Sequence, residues 1–249
     1  MIIADPNNPR AVALLNQFTQ SVQAQLNKLP VHIVIGGDGW MLESIRKHGI
    51  DQPYIGLNAG TLGFLMQNID NVDECVQKII ANDWKIYDFP LLSIKGFDLT
   101  NSAFHALALN DVYVYRDTGR AANLKVQIDG VEVVERLVCD GLVVASSLGS
   151  TAYYSSAGGS PSHPLIPALH ITPICPHTPR LRSFLVPHSA KVTIEALAPE
   201  RRPVQAVSDG NNHGQVTRMA VRTSEKIVRL AYFYDHNFTE TMIRKILRS

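Results

Sequence analysis

The stretch Val31-His32-Ile33-Val34-Ile35-Gly36-Gly37-Asp38-Gly39 constrains this chain more than any other. Five mostly apolar residues, rich in β-branched types, read as a buried strand that halts at Gly-Gly-x-Gly. A helix is expected to follow from about Trp40 to Lys47. A strand that passes into a helix through glycines makes a tight turn. Its backbone N–H groups approach any ligand closely, and the helix N-terminus adds partial positive charge. That suits phosphate, with Gly36, Gly37 and Gly39 as contacts. A carboxylate in such a turn repels phosphate, so two readings of Asp38 stand. It holds a divalent cation or takes a proton from a hydroxyl, or it is an ordinary turn aspartate.

Around this stretch, strand and helix patterns alternate to about residue 83. Met1–Ala4 reads as a short strand, and Asn8-Pro9 starts a helix with Leu14, Phe18, Val22 and Leu26 on one face. Pro53–Leu57 is a further apolar strand. It runs into a second glycine loop, Asn58-Ala59-Gly60-Thr61-Leu62-Gly63-Phe64-Leu65, with Asn58 and Gly60 as further phosphate contacts. Asn71 caps a helix carrying Val72, Val76, Ile79 and Ile80. Such alternation predicts a parallel α/β sheet, whose ligands bind beyond the carboxyl ends of the strands.

From Trp84 onward helical periodicity is scarce. Strands are expected at Lys85–Ile94, Phe104–Tyr115, Leu124–Ile128, Val131–Val134, Leu137–Ala145, Lys191–Leu197, Val204–Val207, Met219–Arg222 and Ile227–Phe233. Asp129-Gly130 is a hairpin turn. Thr239–Leu247 reads as a terminal helix, with Met242, Ile243, Ile246 and Leu247 facing inward. The expected organisation is an α/β domain over 1–91, a β-rich domain over 92–232 and a C-terminal segment over 233–249.

Composition excludes several roles. The 249 residues carry 23 basic and 22 acidic side chains, a net charge of +1, which gives no support to nucleic-acid or membrane-surface binding. No apolar run approaches a membrane span, and Met1–Asp5 lacks the features of a signal peptide. Cys75, Cys139 and Cys175 are odd in number and widely spaced, pointing to a reduced, cytoplasmic protein.

Three further stretches carry polar chemistry. Asn110-Asp111 interrupts an apolar strand, where at least one of the pair faces the interior at a cost unless partnered. Asp140-Gly141 precedes an apolar strand and the Ser/Thr/Gly loop Ser146–Gly159, whose hydroxyls suit a sugar or phosphate. Thr172-Pro173-Ile174-Cys175-Pro176-His177 matches no zinc spacing and reads as a Pro-bounded crossing. No side-chain metal set is assigned.

Taken together, these residues resemble the NAD kinase family. Gly36–Gly39 matches its GGDG loop, and Asn58-x-Gly60-x-x-Gly63-Phe64-Leu65 its second glycine loop. Asn110-Asp111 matches its Asn-Glu/Asp pair. Asp140-Gly141, Gly149–Tyr153 and Ser156–Gly159 match its long signature, and Thr172–His177 and Asp209-Gly210 fall in family order. The resemblance implies an N-terminal α/β domain, a C-terminal β-sandwich, and a terminal helix returning to the first. It implies phosphorylation of the adenosine-ribose 2′-hydroxyl of NAD by ATP or polyphosphate, with a divalent cation such as magnesium, in a homodimer or homotetramer. Asp38 is then the general base and Gly39 lies against the dinucleotide. Phe64 is near the adenine, and Asn110 and Asp111 hold the adenosine side. Asp140 contacts the nicotinamide-ribose side. Thr151, Ala152, Tyr153, Tyr154, Ser155 and Ser156, with Asn211, complete the NAD site.

This chain departs from the family pattern at four places. Trp40 replaces the usual Thr, and Leu148 stands where a polar residue is common. Val138 lies where a basic residue often precedes the Asp, Arg136 being the nearest cation in sequence. Asn211 replaces Gln. Two rivals follow. A lipid kinase would share GGDG but lack the later motifs, which are present. A weakened paralogue that senses NAD or NADP would rest on Trp40 and Leu148.

Overall fold

The structure, a computed structural model, describes residues 1–61 and 63–244. Two compact units result: Met1–Phe89 with Ile227–Ser249, and Pro90–Lys226. The sequence puts these crossings at residues 91 and 232. The second comes earlier because the end of the last strand pairs within the first unit.

In that first unit the chain forms β1 (Ile2–Ala4), α1 (Pro9–Gln17), α2 (Gln20–Leu26), β2 (His32–Gly36), α3 (Asp38–His48), β3 (Tyr54–Asn58) and α4 (Val72–Ile80). β1 pairs β2 and β2 pairs β3, both in parallel. Leu230 and Ala231 of the last strand then pair Tyr54 and Ile55, again in parallel. Ile33, Val34 and Ile35 are fully buried, as expected of a strand covered on both faces. Ala11, Leu14, Phe18 and Leu26 pack on Ile33, Ile35, Ile55 and Leu57 together with Val76 and Ile79.

The helix expected from Asn8 to Leu26 is two. Phe18 turns extended, with ψ 118°, and Thr19 caps α2 by accepting the Val22 N–H. Hydrophobic spacing missed this break because Leu14, Phe18 and Leu26 bury into one core on either side of it. Asn71 caps α4 by accepting the Glu74 N–H at 3.1 Å.

The remaining elements are β4 (Trp84–Asp98), β5 (Ala103–Ala108), β6 (Asp111–Arg116), β7 (Ala122–Ile128), β8 (Val131–Cys139), β9 (Gly141–Ser146), a 3-10 turn at Leu148–Thr151, α5 (Tyr153–Ser156), β10 (Ala168–Ile174), β11 (Phe184–Pro187), β12 (Val192–Ala196), β13 (Val204–Ser208), β14 (Asn211–Phe233) and α6 (Phe238–Met242). Of the expected terminal helix, Ile246 and Leu247 lie outside the described residues. Within the first unit, Phe238 of α6 packs edge-on against Tyr87, Phe89 and Tyr232.

The second unit is a β-sandwich. One half runs β13, β6, β9, β10, β11, all antiparallel. The other joins β5 to β4, and β14 through β12 and β7 to β8. Both halves feed one core, including Val112, Val144, Ile171 and Ala206 from the first and Ile94, Val126, Ile194 and Val221 from the second. Asp129 and Gly130 take φ 51° and 83°, the left-handed pair that a two-residue hairpin needs.

Four sequence expectations are corrected here. The strand expected over 104–115 breaks at Leu109-Asn110, and that over 137–145 breaks at Asp140. The two final strands are one, β14. Thr172–Ile174, read as a crossing, belongs to β10, which pairs β9 through Ile174. Pro173 is tolerated there because β11 pairs only as far as Ile171.

Candidate active site

In the first unit the turns after β2 and β3 meet backbone to backbone. The Ala59 N–H donates to the Gly36 carbonyl at 2.7 Å. A Cβ added to Gly60 would lie 3.1 Å from the Gly37 Cα, so glycine permits the approach. α3 begins at Asp38, two residues before the sequence places it, with Gly37 as its N-cap. The Asp38 carboxylate faces the second loop. Oδ2 accepts the Phe64 N–H and Oδ1 the Leu65 N–H, each at 2.8 Å. Asn58, expected at phosphate, turns its amide to the loop instead. It accepts the Gly60 N–H at 2.9 Å and donates to Asn68 at 3.0 Å. Among the described residues, nothing lies within 4 Å of a Cβ added to Gly39.

Trp40 has a structural reason. Its indole N–H donates to the Ile3 carbonyl at 3.3 Å, and its side chain covers Gly36. It ties α3 to β1. Tyr232, which the sequence reading missed, is buried within this same unit, with no hydrogen-bond partner for its hydroxyl among the described residues. Burial, then the Asp38 charge, pushes that phenol upward and keeps it protonated. As one more aromatic in an apolar strand, Tyr232 gave no sequence signal.

In the second unit Asn110 and Asp111 are both buried, 8% and 5% exposed. The Asn110 Oδ1 has no hydrogen-bond partner among the described residues. The Asp111 carboxyl is pushed up to about 7 by burial and then by Asp209, against the lowering effect of the Tyr153 N–H. The loop after β9 packs against this pair. A Cβ on Gly149 would lie 2.0 Å from the Asn110 carbonyl oxygen, which is why the signature needs glycine there. Leu148 is buried. The Ser150 hydroxyl donates to the Ser147 carbonyl at 2.7 Å and accepts the Ser162 N–H at 3.0 Å.

Thr151, Ala152, Tyr153 and Ser155 are half-buried, and Ser156 and Asn211 are exposed. Tyr153 packs edge-on against Tyr113 at 4.8 Å. The Tyr154 ring is fully buried, edge-on to His170, and supports the loop from the core. Asp140 pairs with Arg116 Nε at 2.7 Å. The cation sought near Val138 thus comes from β6, across the sheet, and not from Arg136.

A parallel sheet with a carboxylate beneath a glycine turn, and a β-sandwich with a buried Asn-Asp pair, define a class: a two-part kinase-type enzyme for a phosphate-bearing small molecule. The model of the ATP-NAD kinase C-terminal domain matches residues 109–231. A curated NAD kinase of Rhizobium meliloti is 37% identical over 221 residues, 87% of this chain and 84% of that protein. One of Rickettsia felis is 35% identical over 96% of this chain and 94% of its own length. Among solved structures, yeast NADH kinase complexed with NADH superposes with a TM-score of 0.78 at 27% identity, covering 91% of this chain and 68% of that one. An NAD kinase from Archaeoglobus fulgidus in complex with ATP gives 0.77 at 23% identity over 100% and 98%, a likeness of fold. The chain belongs to the NAD kinase family.

Proposed function

We propose that this protein transfers the γ-phosphoryl group of ATP to the adenosine-ribose 2′-hydroxyl of NAD, giving NADP and ADP. The observation that carries this reading is the 37% identity to a curated NAD kinase across 84% of its length. Asp38 takes the proton of the 2′-hydroxyl as the new O–P bond forms, and the Phe64 and Leu65 N–H groups aim its carboxylate. Gly36, Gly37, Gly39 and Gly60 offer backbone to phosphate, and Gly39 has the open space for it. Phe64 lies near the adenine. Asn110 and Asp111 grip the adenosine end, where the unpartnered Asn110 oxygen has an acceptor to offer. Asp140, oriented by Arg116, serves the nicotinamide-ribose side. Thr151–Tyr153, Ser155, Ser156 and Asn211 line the dinucleotide.

Among the described residues no three His, Cys, Asp or Glu side chains cluster as a metal site. The magnesium ion of this reading arrives on the substrate phosphates, which is how magnesium commonly binds. When bound it neutralises charge on the transferring group. The reading extends to a cytoplasmic enzyme of NADP biosynthesis, a homodimer or homotetramer. Buried, unpaired Cys75 and Cys139 suit a reducing compartment, and no helix among the described residues is long and apolar enough to cross a membrane.

The test is NADP formation by the purified protein from NAD, ATP and magnesium, read with an NADP-specific dehydrogenase. Parallel arms substitute NADH for NAD, polyphosphate for ATP, and diacylglycerol as acceptor. Steady NADP formation supports the reading. A folded protein that binds NAD and makes no NADP overturns it in favour of the sensing paralogue.

A further inference from the structure

The turn at Asp209 lies outside the residues given roles above. Its backbone sits at φ 45°, an unfavourable region for a non-glycine residue and one that persists only when its surroundings hold it. Its carboxylate reaches back to the break between β5 and β6. Oδ2 accepts the Leu109 N–H at 2.5 Å, and Oδ1 accepts the Asn110 N–H at 2.9 Å and the Asp111 N–H at 3.2 Å. The Asp209 N–H in turn donates to the Asp111 carbonyl at 3.0 Å. Three successive N–H groups converging on one anion make a nest. An extended strand cannot do this, because its successive N–H groups point to opposite sides.

The carbonyls of the same bend are held from the other side. The Ser146 hydroxyl donates to the Leu109 carbonyl at 2.7 Å and accepts the Gly149 N–H at 3.1 Å. The Ser146 N–H donates to the Asn110 carbonyl at 2.8 Å. In a straight strand Asn110 and Asp111 would point to opposite faces. Here both are buried, Asn110 against the Gly149 turn and with a side-chain oxygen that has no partner among the described residues.

We propose that Asp209 is a positioning residue for the reaction: its carboxylate bends the chain so that Asn110 and Asp111 present their side chains together to the dinucleotide acceptor. This rests on the reading of Asn110 and Asp111 as the grip on the adenosine end, and deepens it. The groups that face Asp111 are Asp209 from the β13–β14 turn, Tyr153 from α5 and Tyr113 on its own strand. Asp209 therefore has a second consequence, because its charge opposes ionisation of Asp111.

Asp209→Asn in the full-length protein tests this. The amide keeps the size but offers one acceptor oxygen to three donors and turns an NH2 group toward them. KM for NAD should rise by roughly two- to tenfold, the worth of one net hydrogen bond, with kcat and KM for ATP little changed. The acid limb of kcat/KM for NAD should also move to lower pH, because Asp111 loses its like-charged neighbour. In an Asp111→Asn background that movement should vanish. A purely structural role would lower the melting temperature without moving the limb. A folded Asp209→Asn with unchanged KM for NAD and an unmoved limb overturns the proposal. Should that variant not fold, Ser146→Ala loosens the same bend from its other side. A raised KM for NAD in it supports the proposal, and an unchanged KM overturns it. Wild-type protein that makes no NADP would instead sink the proposed function, separating the two failures.

Discussion

Asp38 and Asp209 are the same group set to different tasks in the two units. Each is a turn carboxylate that accepts backbone N–H groups from another loop. Asp38 takes one on each oxygen, from Phe64 and Leu65, at the start of a helix. Asp209 takes three from consecutive residues, in a left-handed turn. On the far side of the bend it holds, Gly149 presses on the Asn110 backbone. On the proposed reading, the contrast is between a carboxylate that takes a proton and one that shapes the chain. The two differ in how many N–H groups converge on them and in the backbone that carries them.

The largest expected effect comes from removing the metal. Chelation should abolish NADP formation while leaving the melting temperature unmoved, because the ion is proposed to arrive on the substrate phosphates. A clear drop in melting temperature would point to an ion held by the protein. Asp38→Asn should then slow single-turnover phosphoryl transfer by about 10²–10⁴-fold, the usual worth of a positioned base. Binding of NAD, measured by calorimetry, should stay near normal. A loss below about tenfold would take Asp38 out of the base role, since a base contributes well above that, and the contrast with Asp209 would collapse.

The glycines sharpen the comparison further. Gly149→Ala places a Cβ 2.0 Å from the Asn110 carbonyl oxygen, against backbone that cannot swing aside. Overpacking of this kind should cost about 3 kcal/mol, read as a fall in melting temperature. His170 adds a pH test in the second unit. It is fully buried, and burial lowers its pKa from 6.5 to about 4. Below 6.5 the unfolded chain takes up a proton that the fold refuses. Its contribution to stability is thus present above that value and is lost as pH falls toward 4. The stability of wild type relative to His170→Leu should drop by about 3 kcal/mol over that range; a flat difference curve would show that the folded ring takes up its proton as readily as the unfolded chain does. The smallest effect belongs to Gly39→Ala. Nothing lies within 4 Å of the new Cβ, and the position is helical. Thermal melting should show a change within about 1 kcal/mol, in the stabilising direction. Only NAD binding should suffer, and an unaffected NAD affinity would remove Gly39 from the dinucleotide site.

Much of this was legible along the chain. The run Val31–Ile35 ahead of three glycines announces a buried strand and a tight turn, because apolar continuity and glycine are local properties. Asp129-Gly130 names its hairpin for the same reason. Asn110-Asp111 stands out because two polar residues in an apolar strand need partners. The partners themselves were not legible. Asp209 lies about a hundred residues from the bend it holds, and Arg116, not Arg136, meets Asp140 because β6 and β9 are neighbours. Tyr154 reads like its neighbour Tyr153, and only packing sends one ring into the core. β10 looked like a crossing because Pro173 argues against a strand, until the end of β11 shows which side lacks a partner.

The sequence by itself determined which residues can do chemistry, and the order of strand, glycine turn and helix that carries them. Those follow from side-chain type and backbone freedom, which each residue brings with it. Tertiary structure decided what each of those residues faces. Asp38 meets the Phe64 and Leu65 N–H groups, Asp209 gathers those of Leu109 to Asp111, and Gly149 gives way to the Asn110 backbone. The reason is that a carboxylate's role depends on the donors, charges and space within a few ångströms, and chain segments far apart in sequence supply them.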